Sequence, residues 1–175
     1  MEEIEIKKAE VSDAYKILEI QKKAYQIQGE IYNDFSIPPL EESLNDIKED
    51  FKQKSIFKAV SSKGKILGSC RAYTKDNTCY ISRLSVDPKY QSHGIGSRLV
   101  KFIEDYYFNR CNRFELYTGN KSRKNLALYK KLGYKVFRTE PYDENSDRVY
   151  LEKQNGGVNI EVESQKLALV EGELE

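Results

Sequence analysis

The pattern of hydrophobic and polar residues predicts a strand and two helices in the first third of the chain. IEIKKA, residues 4–9, alternates apolar and polar positions as a half-buried strand does. Apolar side chains then recur at helical spacing between Ser12 and Gly29. Two prolines precede a further apolar face, which predicts a second helix from about Leu40 to Phe51.

The middle of the chain predicts three successive strands. SIFKAVSS and KILGSCRAYTK flank Lys63-Gly64, a dipeptide typical of a hairpin turn. TCYISRLSV, residues 78–86, follows the turn residues Asp76-Asn77. Because short turns join antiparallel neighbours, we expect these strands to form a meander.

The last third of the chain alternates between the two patterns again. A helix after Gly96 carries an apolar stripe, and RFELYT, residues 113–118, follows it as a strand. A right-handed crossover through that helix would place RFELYT parallel to residues 78–86. NLALYKKLGY predicts a helix that ends at its glycine, and KVFRTE and DRVYLEK predict a closing pair of strands. Residues 154–175 alternate only weakly, so we treat them as a tail.

Composition and charge narrow the classes of partner. The 175 residues include 29 Lys and Arg against 28 Asp and Glu, which gives no overall positive field for nucleic acid. No apolar run is long enough to cross a bilayer, and the acidic start MEEIEI lacks the regions of a signal peptide. We therefore expect a cytoplasmic protein without a nucleic-acid or membrane partner.

The cysteines and the histidine give no sign of a metal site. Cys70, Cys79 and Cys111 are odd in number and lack CxxC spacing, which argues against a disulfide framework and a zinc site. We expect them to be small apolar residues of the sheet or its junctions. His93 is the one histidine, and in its loop it is better suited to offer a backbone N–H than to act as a base.

The segment QSHGIGSRLV, residues 91–100, predicts an anion site. The first N–H groups of a helix have no intrahelical partners, and the helix dipole favours negative charge beside them. Gly94 and Gly96 would let this backbone approach a pyrophosphate closely. The spacing excludes a P-loop, and a dinucleotide fingerprint would need a third glycine where Leu99 stands. A tight turn that uses glycine only for its dihedral angles stays open as the alternative.

Two motifs in this order resemble the GNAT superfamily of acyl-CoA-dependent N-acyltransferases. The first is RLSVDPKYQSHGIGSRLV, and the second, one strand later, is NLALYKKLGY. The positions that match the first pattern are Leu84, Val86, Pro88, Gln91, Gly94 and Gly96, and those that match the second are Asn125, Ala127, Leu128, Tyr129 and Gly133. Ser92 departs from the glycine that many members have there, and its hydroxyl would add a donor near phosphate.

The resemblance implies the fold. It extends over a single domain of residues 1–153, of the α/β (α+β) class, with a mixed, mostly antiparallel central sheet of about seven strands flanked by about four helices. The expected order is a strand, two helices, three strands, a helix, a strand, a helix and two strands. An exposed edge strand after Arg148 would offer a surface for a homodimer.

The resemblance also implies acetyl-CoA as co-substrate, with no metal. The loop from Gln91 to Ser97 would bind the pyrophosphate, and the backbone of Leu84 and Val86 would pair with the pantetheine arm. The parallel strands would splay beside a bulge, where a backbone N–H stabilises the oxyanion. The implied cofactor-binding residues are Leu84, Ser85, Val86, Gln91, Ser92, His93, Gly94, Ile95, Gly96, Ser97, Asn125 and Tyr129.

Tyr129 is the implied catalytic residue. Its hydroxyl, lying near the sulfur, would give a proton to the departing thiolate. A tyrosine that only packs in the core or against the cofactor is the alternative. The general base is unassigned, because the strand TCYISRLSV contains no carboxylate. Glu30, Asp34 and Glu115 are available elsewhere, and a water relay or an already deprotonated amine would serve equally.

The acceptor is expected to bind beside the segment from Tyr25 to Pro39. Aromatic residues that would wall its pocket are Tyr25, Tyr32, Phe35 and Tyr142, and Glu30 or Asp34 would attract a cationic amine. The leading hypothesis is acetyl transfer to the primary amine of a small molecule. A peptide or protein amine, or a regulatory domain that binds acyl-CoA without turnover, are the alternatives.

Overall fold

The computed structural model describes residues 2–156, which form one seven-stranded mixed sheet. The sheet order is β1-β2-β3-β4-β5-β7-β6, and every pair of neighbours is antiparallel except β4 and β5. The strands are β1 (Ile4–Lys8), β2 (Ser55–Ser61), β3 (Ile66–Lys75), β4 (Thr78–Val86), β5 (Arg113–Gly119), β6 (Lys135–Asp143) and β7 (Ser146–Gln154). The predicted fold class is therefore confirmed, and so is the predicted order of the seven strands along the chain. The predicted tail lies outside the described residues from 157 onward.

The helices cover both faces of the sheet. They are α1 (Ala14–Tyr32), α2 (Pro38–Glu41), α3 (Leu44–Gln53), α4 (Ile95–Tyr106) and α5 (Arg123–Lys131). Successive residues of β3 point to opposite faces of the sheet and contact different helices. Cys70 and Ala72 lie in the core with α4, whereas Arg71 bonds to Gln21 of α1 and Asp50 of α3. All three cysteines are buried and free, as expected of small apolar residues. None of the helices in residues 2–156 is long and apolar enough to cross a membrane.

The second predicted helix, from Leu40 to Phe51, is two helices with a break between them. At Glu42 the backbone turns out of the helix, with ψ at 133°. Ser43 then caps α3, and its side chain accepts a hydrogen bond from the backbone N–H of Asp46 while Asp46 bonds back to the Ser43 N–H. The prediction of one helix was wrong because this capping box and the inward turn of Glu42 outweigh a continuous apolar stripe.

The parallel pair β4 and β5 separates after three paired residues. Thr78, Cys79 and Tyr80 pair with Arg113, Phe114 and Glu115, and the pairing then ends. On its other side β4 stays paired with β3 through Ser85 and Val86, with a bulge between Ser82 and Ser85. Arg83, inside the bulge, has a left-handed φ of 54°. The splay and bulge implied by the resemblance are therefore present.

At the end of the sheet that the final hairpin forms, the exposed edge is β6, not the strand that follows Arg148. The segment from Ser146 to Gln154 is β7, which pairs with β5 on one side and with β6 on the other. Its side chains at Val149 and Leu151 are buried, whereas β6 is exposed along almost its whole length. The edge strand proposed for a homodimer was therefore misplaced, because the final hairpin folds back and inserts its second strand into the sheet.

Candidate active site

A cavity of about 140 Å³ lies where β4 and β5 have diverged. Four parts of the chain enclose it: the end of α1 with the loop to α2, the bulge of β4, the end of β5 with α5, and the β6–β7 hairpin. Residues from each part in its wall are Tyr25, Tyr32, Pro39, Ile81, Arg83, Tyr117, Thr118, Asn125, Tyr129, Tyr142 and Arg148. Of the predicted cofactor-binding residues, this cavity includes Asn125 and Tyr129.

The loop before α4 has the geometry of an anion site. Ser92 and Gly94 have φ values of 65° and 79°, so the chain turns sharply before the helix starts at Ile95. The N–H of Arg98 makes the first intrahelical bond, to the Gly94 carbonyl at 3.1 Å. The N–H groups of residues 95–97 precede it, and no side chain caps this end of α4. These donors at the positive end of a twelve-residue helix suit a diphosphate.

Two side chains of the loop serve the loop itself. Gln91 donates through Nε2 to the Val86 carbonyl at 3.1 Å. Nδ1 of His93 lies 2.8 Å from the carbonyl oxygen of Gln91 and 3.2 Å from that of Tyr90. Both side chains thereby brace the turn, which leaves the backbone as the part of residues 91–97 that is suited to contact a ligand.

The structural setting of glycine differs between positions 94 and 96. Gly94 needs its positive φ, although a Cβ there would meet no atom within 4 Å. Gly96 has no positive φ, and a Cβ would make only ordinary contacts, at 3.4 Å from Leu128 Cδ2 and 3.6 Å from Leu84 Cδ2. The tight-turn alternative therefore accounts for Gly94 but not for Gly96. Close approach of a ligand would account for both.

Gly96 also shows how the loop is connected to the cavity. It lies against Leu84, the residue after Arg83 on β4, and against Leu128, the residue before Tyr129 on α5. Arg83 and Tyr129 both line the cavity. The start of α4 is therefore next to the cavity, because each residue that Gly96 lies against is adjacent in sequence to a residue of the cavity wall. An extended ligand bound at the start of α4 could reach the cavity along this path.

The segment Leu84–Val86 keeps one backbone edge available for such a ligand. Ser85 pairs with Ser69 and Val86 with Gly68, both on β3. Within residues 2–156, no strand pairs with the opposite edge of β4 beyond Tyr80. The side chains of Leu84 and Val86 pack against the hydrophobic core, and this packing holds the backbone of the segment in place.

Tyr129 lies in the wall of the cavity and in the core at once. It is 6% exposed, and its ring packs 6.2 Å from that of Tyr134. Burial raises the pKa of the Tyr129 hydroxyl well above its ordinary value, with smaller contributions from Tyr25 and Cys70. The hydroxyl is therefore protonated at neutral pH, and the same burial makes it a weaker acid than a solvent-exposed tyrosine. Asn125, one turn earlier on α5, donates to Thr118 Oγ1 at 3.3 Å.

The three carboxylates considered as bases occupy different places. Asp34 lines the cavity and accepts bonds from the Ser36 hydroxyl at 2.6 Å and from its N–H at 2.8 Å, which lower the pKa of Asp34. Glu115 is paired with Arg113 at 2.8 Å, outside the cavity wall. Glu30 is exposed and also outside that wall. A lowered pKa makes Asp34 a weak base, so the base stays unassigned.

The predicted aromatic wall is present except at Phe35. Tyr25, Tyr32 and Tyr142 line the cavity. Phe35 turns back onto α1 instead, where its ring fills the space beside Gly29, with Cδ1 at 2.7 Å from the position that a Cβ would take. Phe35 was therefore wrongly expected in the wall, because α1 continues past Gly29 to Tyr32 and leaves a glycine gap that this ring occupies.

Tyr32 closes the cavity between α1 and the end of β5. Its hydroxyl lies 2.8 Å from Ser122 Oγ and accepts a bond from the Lys121 N–H at 3.0 Å. Ser122 in turn donates to Gln28 Oε1 at 2.5 Å. Gly119 makes this approach feasible, since a Cβ there would stand 2.1 Å from the Tyr32 hydroxyl oxygen.

Sequence reasoning missed the charged side chains of the site. Arg83 lines the cavity from the bulge, and its Nε donates to Glu42 Oε1 at 3.0 Å. Arg148 enters from β7, with its guanidinium 4.7 Å from the Tyr117 ring centre and 4.9 Å from that of Tyr142. Asp143 and Asp147 complete the hairpin side of the wall. An arginine just before the LSV segment was a signal, but its bulged position could not be read from the pattern.

Sequence and structure comparisons agree with this arrangement. The model of the acetyltransferase (GNAT) family matches residues 15–134. The Xenopus tropicalis protein named "Probable N-acetyltransferase 14" is 36% identical over 88 residues, which cover 48% of this chain and 42% of that protein. The chain thus spans about two fifths of the length of this curated relative.

Solved structures with the same fold include three bacterial proteins. A Streptococcus mutans UA159 protein has a TM-score of 0.74 at 18% identity, covering 86% of this chain and 98% of that one. The ribosomal-protein-S18-alanine N-acetyltransferase of Escherichia coli has a TM-score of 0.74 at 17% identity, covering 90% and 97%. A Salmonella typhimurium protein, whose structure includes its cofactor acetyl-CoA, has a TM-score of 0.71 at 14% identity, covering 89% and 96%.

Because these sequence identities are below 20%, the similarity to the three solved structures shows a shared fold and nothing about activity. The family model covers more than half of the chain, including the loop before α4 and the helix that carries Tyr129. The chain therefore belongs to the acetyltransferase (GNAT) family.

Proposed function

We propose that this domain transfers the acetyl group of acetyl-CoA to the primary amine of a small molecule, by direct attack in a ternary complex. The observation that carries the proposal is the open end of the parallel pair. The uncapped start of α4 lies against Leu84, on the free backbone edge of β4, and against Leu128, the residue before the buried Tyr129. Each supplies one thing that thioester aminolysis needs.

Binding of the cofactor would use backbone groups. The N–H groups of residues 95–97 would bind the diphosphate, and the edge of Leu84–Val86 would pair with the pantetheine arm as an added strand does. Asn125, now bonded to Thr118, would be a further polar contact to the arm. This arrangement would bring the thioester to the bulge of β4.

The reaction would proceed without a covalent enzyme intermediate. The neutral amine nitrogen attacks the thioester carbon, and a backbone N–H near the bulge stabilises the developing oxyanion. The C–S bond then breaks, and Tyr129 gives its proton to the thiolate and recovers one from solvent. The proton that the amine loses leaves through water or a base that we do not assign.

A small acceptor is favoured by the closure that Tyr32 makes. Its bonds to Ser122 and Lys121 join α1 to the segment after β5 across one side of the cavity. A peptide or protein amine, the kind of acceptor that the name of the Escherichia coli neighbour gives to that protein, would need an open groove there. The bridge is the structural reason to rank the small amine first.

The test is an acetylation assay with two panels of acceptors. One panel holds small primary amines and the other holds short peptides with free N-termini, and CoA release and product mass are measured for each. Products from small amines alone support the proposal. Products from peptides alone would establish the second acceptor class. Binding of acetyl-CoA without turnover of either panel would establish a regulatory acyl-CoA-binding domain. A cytoplasmic location and a homodimer stay predictions from the sequence.

A further inference from the structure

The guanidinium of Arg83 uses one edge for the protein and presents the other to the cavity. Its Nε donates to Glu42 Oε1 at 3.0 Å, and the side chain is 18% exposed. Within residues 2–156, neither of its terminal Nη groups donates a hydrogen bond to the protein. Because Arg83 lines the cavity, these remaining donors are available to a ligand there.

The orientation of Arg83 is fixed from behind. Its backbone is left-handed, with φ at 54°, a conformation that non-glycine residues keep only where the surroundings impose it. Glu42, its partner, is held in turn by the Gln21 Nε2 group at 2.7 Å and by both Nη groups of Arg71 at 2.9 and 3.2 Å. The guanidinium is therefore preorganised, and binding a ligand would need little rearrangement.

The positive charge of Arg83 is not cancelled by its partner. Glu42 is shared between Arg83 and Arg71, and Asp50 is shared between Arg71 and Lys54. Three cations thus face two carboxylates in this cluster. The excess charge sits beside the cavity at Arg83, whereas Lys54 is 27% exposed and so solvated. An anionic group of the ligand would complete the balance.

A carboxylate is the anion that best suits this donor pair. The planar fork of a guanidinium matches the two oxygens of a carboxylate, and such charged bonds are stronger than neutral ones. Other segments in the cavity wall, the loop after α1 and the β6–β7 hairpin, carry Asp34, Asp143 and Asp147, which suit the amino group of the same molecule before it is deprotonated. The cavity therefore offers separate places for a carboxylate and for an amine.

We propose that Arg83 determines acceptor specificity by binding a carboxylate of the acceptor, so that the substrate is a primary amine of the amino-acid class. This inference rests on the proposed acetyl transfer. It narrows the small-molecule acceptor to amines that carry a carboxylate, and it makes the free Nη groups of Arg83 the site of that contact.

The experiment compares amino acids with their own carboxamides as acceptors. The amide of each pair has the less basic amine, so a larger neutral fraction would favour the amide in the absence of a carboxylate contact. We expect the acid to have a kcat/KM about 10- to 100-fold above that of the amide. Arg83→Gln should remove this preference by raising the KM for the acid, with the affinity for acetyl-CoA unchanged. Arg83→Lys, which keeps the charge, should retain part of it.

The other outcomes overturn the inference or separate it from the proposed function. Equal rates on acid and amide in the wild type overturn it, and so does a preference that survives Arg83→Gln in a folded variant. If Arg83→Gln does not fold, the inference is tested by the preference of the wild type for acids over amides and by the reduction of that preference in Arg83→Lys. If no amine is acetylated, the proposed function fails. Calorimetry with amino acids and their amides in the presence of CoA then tests the site: binding of the acids alone supports it, and binding of neither or of both overturns it.

Discussion

Arg71 and Glu42 form a two-point ion pair in the interior, with Nη1 3.2 Å from Oε1 and Nη2 2.9 Å from Oε2. Arg71 comes from the middle of β3 and is 1% exposed, whereas Glu42 occupies the break between α2 and α3. The pair thus ties the break between α2 and α3 to the sheet. Since Glu42 also holds Arg83, the same contact sets the cavity wall.

Arg71→Met should destabilise the fold strongly. Removing the guanidinium takes away its charged hydrogen bonds to Glu42 and Asp50, which keep Arg83 and Lys54 as their charged partners, and losing such bonds costs about 1.5–3 kcal/mol. The free energy of unfolding from urea titration measures it. Lys52→Met is the matched control, because Lys52 pairs with Glu49 at 2.6 Å on the surface, where ion pairs contribute little. Equal effects of the two substitutions would contradict the structural role of Arg71.

Tyr129→Phe should lower kcat by about 100-fold or more, since a positioned general acid contributes on that scale. The affinity for acetyl-CoA should change little, because the ring stays in the cavity wall. Tyr134→Phe is the control: its hydroxyl is also buried, but it donates to Glu104 at 2.9 Å, away from the cavity. That variant should lose stability and keep kcat. If both variants keep kcat, Tyr129 is a packing residue only.

The pH profile of kcat should rise with no descending limb up to about pH 9. The rise reflects the amine, which attacks only when neutral. Burial raises the pKa of Tyr129 well above its ordinary value near 10. Its hydroxyl therefore stays protonated below the unperturbed pKa, so deprotonation of this acid produces no fall in that range. A descending limb near pH 8 that disappears in Tyr129→Phe would contradict this assignment.

Gly119→Ala should disturb the closure of the cavity. The new Cβ would stand 2.1 Å from the Tyr32 hydroxyl oxygen and 2.5 Å from Cζ, so Tyr32 must leave its bonds to Ser122 and Lys121. We expect a loss of about 1–3 kcal/mol, as for other overpacked sites, and a higher KM for the acceptor.

A double-mutant cycle tests whether this loss comes from Tyr32. Tyr32→Ala should make Gly119→Ala nearly neutral, which gives a coupling of about 0.5–3 kcal/mol. Unfolding free energies of the four proteins provide the measurement. Additive effects would mean that the clash is relieved elsewhere and that Tyr32 does not close the cavity.

The strands and the turn before α4 could be predicted because their signals are local. Alternation identifies β1 and the β2–β4 meander, and the glycines of residues 91–97 mark a turn into a helix. Tyr129 follows Asn125 by one helical turn, which places both on one face of α5, and both line the cavity. These features depend on residues close in sequence.

The features that the sequence did not predict depend on contacts between residues far apart in the chain. The break at Glu42 interrupts an apolar stripe and is held by Gln21 and Arg71, which lie 21 and 29 positions away. The left-handed backbone of Arg83 follows from pairing β4 with β3 through a bulge, which has no signature in TCYISRLSV. No local pattern contains this information.

The sequence contains a weak signal for which of the last two strands, β6 or β7, pairs with β5. Either strand of the final hairpin could pair with β5, and the sequence favours neither by turn chemistry. The apolar residues Val149 and Leu151 alternate in β7 and are buried, whereas Val136 and Phe137 of β6 are adjacent and exposed. Alternation therefore marked the inner strand, although the connection alone suggested the opposite order.

We propose that the start of α4 binds the diphosphate of acetyl-CoA, and the test is a calorimetric titration of acetyl-CoA against the wild type and Ser97→Asp. Ser97 is the third residue of α4, where a carboxylate stabilises the helix through its dipole but repels a bound phosphate. Ser97→Asn is the neutral control.

We expect the wild type and Ser97→Asn to bind acetyl-CoA alike. Ser97→Asp should bind at least about 10-fold more weakly, with an undiminished melting temperature and a smaller deficit at high salt. An unchanged affinity in Ser97→Asp, or no binding to a folded wild type, would contradict the claim and remove the basis for acetyl transfer by this domain.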